Sequence, residues 1–301
     1  MDIITLVELI ISGISRGMIY ALMTVGLALI LGILNIPNFA QGEFYMIGAY
    51  IAWFILGVLH LGPVIALLSA ALVTFVVGVC CEKMLFTPLR KFGGRGWLLN
   101  VFILTLGLSL ILQNTALVTI GPLYYGAPYV WSPNPVILFG LFRISYDRLM
   151  IIIVGGATIL ALWIFLKKSK LGRAIRAVAQ ESTAASLMGV NLKNVYTFTF
   201  GLGCMLSGIA GALTISILPA YPTVGIIPLY KAWFVIIMAG LGTMGACIPI
   251  GILLGIVETL GVALASEGWQ NVIYLVIICI LLIFRPFGIF GKGEVRGIWE
   301  R

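Results

Sequence analysis

Two carboxylates, Glu43 and Glu258, stand inside or beside long apolar runs, and two cations, Arg16 and Lys231, fall within reach of the same depth. Ionisable side chains are expensive in hydrocarbon, so they turn toward a bundle interior, where they pair with one another or serve a solute or ion path. For each of them the sequence leaves open an interfacial anchor or a working charge, and either cation could offset a glutamate. Glu43 belongs to GILNIPNFAQGEFYMIGAY, where Asn35, Pro37, Asn38, Gln41 and Gly42 separate two apolar runs. Late in the chain, MAGLGTMGACIPIG separates two more with Gly240, Gly242, Gly245 and Pro249. A broken helix frees backbone amides and carbonyls that lipid cannot satisfy, so such segments line a cavity or are buried against protein. Paired interruptions in the two halves of a chain point to a transport site near the midplane; a kinked turn at the membrane surface is the alternative.

Other chemistries lack their context. GLGTMG, 240–245, matches G-x-G-x-x-G by letter, but a dinucleotide site needs a preceding strand, an amphipathic helix and an acid about 20 residues on. Here both flanks are apolar, and Glu258 is the nearest acid. The GKG at 291–293 is not a Walker loop, and no G-x-x-x-x-G-K-[ST] occurs, so any ATP that drives this protein is bound by another chain. The single histidine, His60, lies at the end of an apolar run, and no Ser or Cys has a base at a motif-like spacing, which leaves no catalytic set. Cys80, Cys81, Cys204, Cys247 and Cys279 form no C-x-x-C and read as buried free thiols, not metal ligands.

The elements that must position these residues are membrane helices. Of 301 residues, 61% are hydrophobic and 9% charged, against about 25% charged in soluble domains. Apolar segments run at 17–35, 44–61, 63–82, 97–120, 148–166, 194–218, 229–241, 246–265 and 269–284. Most have the roughly 20 residues needed to cross a hydrocarbon core of about 30 Å; 229–241 is too short. The expectation is an all-α polytopic membrane protein forming one domain, 1–301, with eight transmembrane helices and one short or broken segment. Of the 18 Lys and Arg, 14 lie in 83–95, 167–193 and 285–301, which the positive-inside rule makes cytoplasmic. That clustering explains the positive net charge without nucleic acid. The N-terminus, which lacks the basic region of a signal peptide, is then outside. So is the loop 121–147, whose Tyr124, Tyr125, Tyr129 and Trp131 suit an interfacial aromatic belt or a docking surface for an external partner.

One segment is polar. In KKSKLGRAIRAVAQESTAASLMGVN, 167–191, a helix from about Leu171 puts Leu171, Ala174, Val178, Ala185 and Met188 on one face and Arg173, Arg176 and Gln180 on another. It is too short and polar to span, so it lies in the cytoplasm, tethered at both ends, as a plain connector or as a knob for a cytoplasmic partner.

LGRAIRAVAQESTAASLMGVN resembles the cytoplasmic coupling loop of the branched-chain amino acid ABC transporter permeases. NFAQGEFYMIGAY, AGLGTMGACIPIG and FRPFGIFGKGEV resemble three further signatures of that family, and the likeness runs from about Gly17 to Val295. It implies a multi-pass permease of the bacterial cytoplasmic membrane, the shorter of two paired subunits, not an enzyme, and without a cofactor of its own. The implied partners are a second permease, two cytoplasmic ATPase subunits holding ATP and Mg, and an external solute-binding protein. The implied cargo is leucine, isoleucine or valine, moved by alternating access. Urea or short-chain amides, carried by similar permeases, and an ion-coupled secondary transporter using Glu43 and Glu258 stand as alternatives. The resemblance assigns ATPase coupling to Gly172, Arg173, Arg176, Glu181, Ala184, Ala185 and Gly189, with Thr183 where the broader importer motif has Glu. It assigns the translocation path to Asn35, Asn38, Gln41, Gly42, Glu43, Gly240, Gly242 and Gly245, with Gln41 where many members have His.

Overall fold

The N-terminal apolar run forms α1, Ile3–Leu34, a helix about 48 Å long that begins well ahead of the expected start at 17. The helix tolerates Glu8, Ser12 and Arg16 because a spacing of four puts them on one face. There the backbone N–H of Arg143 donates to Glu8 Oε1 (2.9 Å) and the Arg148 guanidinium donates to Ser12 Oγ. The structure is a computed structural model that describes residues 3–92, 97–127, 131, 136–138, 142–240, 242–264 and 270–291. Tyr129 of the expected aromatic belt and most of the GKG segment lie outside the described residues.

After α1 come α2, Gln41–Trp53, ending in a π-helical turn Phe54–Val58, and α3, Pro63–Cys81. A second π turn, Glu82–Phe86, carries α3 into α4, Thr87–Phe92, and α5 follows at Trp97–Thr119. A small antiparallel hairpin, β1 Val136–Leu138 with β2 Phe142–Ile144, precedes α6, Tyr146–Lys168. Then follow α7 Lys170–Gln180, α8 Ser182–Leu187, α9 Leu192–Thr214, α10 Ile226–Ala239, α11 Met244–Leu264 and α12 Gln270–Phe284.

Among the described residues six helices are long and apolar enough to cross a membrane: α1, α3 with its extension, α5, α6, α9 and α11. Of the expected eight full spans, six meet that length among the described residues. The run 44–61 is split into a 13-residue α-helix and a π turn, and α12 has 15 residues. The short seventh segment is α10, at 14 residues.

Burial separates centre from periphery. In α1 and α9, 89% of the most apolar window is buried, against 17–22% in α3, α5 and α6. In lipid an apolar surface needs no cover, so packing between spans depends on close backbone approach at small residues. Along the α1–α11 seam a Cβ on Gly13 would stand 2.6 Å from Ile256 Cα, and one on Gly17 2.5 Å from Ile252 Cα. The basic connections 83–92 and 167–191 share one end of the bundle with 285–291; the opposite end carries 59–62, 120–127 and 215–221.

Candidate functional site

α1 stops at Asn35, whose φ of 53° is the left-handed conformation Asn tolerates at a turn. The chain then turns back into the bundle. Asn38 Oδ1 accepts from Ala40 N, its Nδ2 donates to Gln41 Oε1 (2.9 Å), and Gln41 Nε2 donates to Gly203 O (2.9 Å) and Ser207 Oγ (2.6 Å) in the middle of α9. Both amides are fully buried and their hydrogen bonds stay within the protein. In this conformation they moor the break to α9 instead of facing a solute.

α2 therefore starts deep inside the bundle, and so does α10. Beside Trp53 and Tyr50, at the far end of α2, Tyr125 pairs with Ala220 through two backbone hydrogen bonds. Five residues later Gly225 meets Gly42, where a Cβ on Gly42 would stand 2.7 Å from Gly225 O. From the level of Tyr50 to that of Gly42 is about 12 Å of helix, so 220–225 re-enters the bundle, with Ala220 and Val224 buried. The two helix N-termini meet back to back and run in opposite directions.

The partner of the first interruption is thus 219–225, not 240–245. Leu229 faces Gly42, and Gly240 lies about 16 Å farther along α10. Gly240 and Gly242, with φ of 98° and 90°, form a turn at the basic end, where only glycine adopts such angles without strain. Ile289 N and Phe290 N cap that end of α10 by donating to Met238 O and Ala239 O. Gly245 borders open space.

Glu43, in the first turn of α2, is 3% exposed. Its Oε1 accepts from Ser109 Oγ of α5 (2.9 Å), while its buried Oε2 has no hydrogen-bond partner among the described residues. Phe39, just before α2, stacks on Trp233 of α10 (5.1 Å, 21°) and meets Phe102 of α5 edge-on (5.1 Å, 79°). The buried Trp233 Nε1 likewise has no hydrogen-bond partner among the described residues.

Both expected cations converge on Glu258. Lys231 Nζ donates to Glu258 Oε2 and to Tyr20 Oη (2.8 Å each), Tyr20 Oη donates to Glu258 Oε1 (3.2 Å), and Arg16 Nη1 lies 3.7 Å from Oε1. Lys231 and Glu258 are each 2% exposed. Removing one member of a buried pair costs about 3–5 kcal/mol when the other charge is left alone, and the half-exposed Arg16 at 3.7 Å is a weaker substitute for Lys231 at 2.8 Å. Lys231→Met should therefore cut the folded yield and the thermal midpoint in detergent sharply, and the double variant Lys231→Met/Glu258→Leu should recover most of the loss. A single variant as stable as the unaltered protein would remove the pair from the list of what holds α1, α10 and α11 together.

At the basic end, 167–191 forms two helices where one was expected. Ser169 caps α7 by accepting from Gly172 N (2.7 Å), the extended Glu181 (φ −155°) breaks the helix, and Gly189 (φ 84°) ends α8. The buried face is Gly172, Ile175, Val178 and Ala185; Leu171 and Met188, expected on the same face as Val178 and Ala185, are exposed instead. The break at Glu181 resets the helical phase, which moves Met188 off the buried face. Gly172 packs against α6, where a Cβ would stand 2.5 Å from Phe165 O and Leu166 O. Arg173, Arg176, Glu181, Ala184 and Gly189 are exposed, as are Leu187 and Met188, at 84% and 86%. Beneath this loop Glu82, wholly buried, accepts from Arg90, Thr87 and Thr197 at 2.8–2.9 Å, and the Arg90 guanidinium lies 4.3 Å from the Tyr196 ring.

The model of the permease component of branched-chain amino acid transport systems matches residues 9–284. The chain belongs to this family. The permease is 31% identical to the high-affinity branched-chain amino acid transport system permease protein BraD of Pseudomonas aeruginosa, over 96% of its own length and 97% of that relative's. It is 29% identical to the LivH permease protein of the same kind of system in Escherichia coli K12, over 95% and 96%. With the probable LivH permease protein of Methanocaldococcus jannaschii the identity is 27%, over 90% and 88%. No solved structure matches it.

Sequence reasoning missed three parts of the permease. Pro219, Pro222, Gly225 and Pro228 carry the same punctuation as the first break, hidden between apolar residues. Tyr20 and Trp233 gave no signal, being aromatics in apolar runs. Glu82 closes the apolar run 63–82 and Arg90 sits in the basic segment 83–95, with no local pattern to pair them.

Proposed function

We propose that the permease is one of two membrane subunits of an ATP-driven importer of leucine, isoleucine and valine, in the cytoplasmic membrane of a prokaryote. The substrate class rests on what the relatives are named for, over nearly their whole length. The observation that carries the coupling half is the α7–α8 element: a two-helix knob on the basic end, cytoplasmic by charge, with apolar Leu187 and Met188 exposed at its tip. A partner ATPase that binds ATP and Mg would receive this tip in a cleft. Val190 and Asn191 lead directly into α9, whose centre is moored by Gln41 to the α2 break. Movement of the tip is thus delivered to the junction of α2 and α10. That junction, closed here by Gly42 against Gly225, is the gate that opens to one side and then the other in alternating access. Solute would arrive from an external binding protein at the end bearing 120–127 and 215–221.

Labelled leucine uptake into vesicles containing the permease, its second permease and the two ATPases tests this reading. Uptake should require internal ATP and loaded external protein, and excess unlabelled urea should leave it unchanged. Uptake abolished by urea would transfer the mechanism to another cargo.

A further inference from the structure

Among the described residues six buried side-chain atoms have no hydrogen-bond partner, and two of them, a carboxylate oxygen and an indole N–H, belong to Glu43 and Trp233. Glu43 Oε2 is the acceptor and Trp233 Nε1 the donor. They belong to the two short helices whose N-termini meet at Gly42 and Gly225, and Phe39 links them, four residues ahead of Glu43 and stacked on the Trp233 ring. The two buried amides of the break are spoken for: Asn38 donates to Gln41, and Gln41 donates to α9. Arg16 and Lys231 are engaged with Glu258, and no cation of the described residues lies within ion-pair distance of Glu43. An unpaired carboxylate in the interior is costly, and a fold that keeps one beside its central gate supplies the missing partner from outside the chain.

The chemistry of the two groups specifies that partner. An acceptor lacking a donor suits an ammonium group, aromatic faces attract the same cation, and a donor lacking an acceptor suits a carboxylate. The Phe39 ring stacked on Trp233, with Phe102 edge-on to it, suits an aliphatic side chain. Urea and simple amides carry neither charge. We propose that Glu43 Oε2 binds the ammonium of an apolar α-amino acid during passage, with Trp233 Nε1 donating to its carboxylate. This assignment rests on the amino acid reading above and deepens it.

The test is labelled leucine uptake by the reconstituted four-subunit complex with saturating leucine-loaded external protein, alongside ATP hydrolysis by the same vesicles. Because the external protein sets the apparent KM, Glu43→Gln should lower the maximal uptake rate, by about 10- to 100-fold for one lost charge-assisted hydrogen bond. Stimulated ATP hydrolysis and subunit composition should persist. Trp233→Phe, which keeps an aromatic ring and removes the N–H, should lower uptake by about 3- to 10-fold, and Glu43→Asp should retain most of it. Normal uptake in Glu43→Gln would overturn the assignment while leaving the amino acid reading standing, whereas absence of leucine uptake in the unaltered complex would remove both. Subunit loss or an equal fall in ATP hydrolysis would assign Glu43 to assembly and overturn it too. If Glu43→Gln does not assemble, Trp233→Phe decides alone, and an unaltered rate sinks the proposal.

Discussion

Replacing both Leu187 and Met188 with glutamate is expected to abolish ATP-driven leucine uptake and to leave the permease folded in the membrane. The two side chains are 84% and 86% exposed at the tip of α8, so within this chain they hold little. Exposed substitutions of that kind change stability by about 0.5 kcal/mol or less. In an ATPase cleft they would be apolar anchors, and such anchors cost about 2 kcal/mol or more each on truncation, before any penalty for burying new charge. Together they should weaken docking by at least about 100-fold. Copurification of the ATPases on a tagged permease measures docking, and uptake measures coupling. ATPases retained with normal uptake would show that α8 is a plain connector. By contrast, Arg173→Gln, at an exposed position on α7, leaves the buried face intact and should have a smaller effect.

Gly225→Val is expected to stop transport with the ATPases still bound. Gly225 faces Gly42 across the junction of α2 and α10, and neither residue has room for a Cβ. Valine there must push the two helix starts apart or shift both, and overpacking of this kind typically costs about 1–3 kcal/mol. That strain falls on the junction of α2 and α10, while α7–α8 lies at the basic end and is untouched. The expected result is uptake reduced by more than about 10-fold at near-normal subunit recovery. Gly245→Val is the control: that position borders open space, and the account expects transport to continue. Equal loss in both variants would mean that glycine content, not the Gly42–Gly225 contact, matters to the permease.

The legible parts of this protein are those where chemistry contrasts with a lipid-like background. A run of basic and small residues amid apolar blocks marked 167–191 as a polar element between spans, and the structure divides it at Glu181 into α7 and α8. Asn38, Gln41 and Glu43 marked the first break for the same reason. The second break was misplaced because GLGTMG is conspicuous and LPAYPTVGIIP is not. Glycines serve equally as turn residues at positive φ, as at Gly240 and Gly242, and as points of close approach, as at Gly225. Their letters do not distinguish the two uses. The pairing of charges was legible in kind and not in partner: the sequence presents two cations and two glutamates, and the fold gives both cations to Glu258. Partner choice depends on which faces of α1, α10 and α11 meet, and the glycine seam sets that packing over distances no local pattern encodes.

The most direct measurement is initial leucine uptake into vesicles containing the assembled complex and the external protein, with internal ATP compared against an imposed proton gradient without ATP. The account predicts uptake with ATP, none with the gradient alone, and loss of the ATP-driven rate in the Leu187→Glu/Met188→Glu variant. Gradient-driven uptake without ATP, unchanged in that variant, would contradict it and move the energetics from α8 to the buried charges.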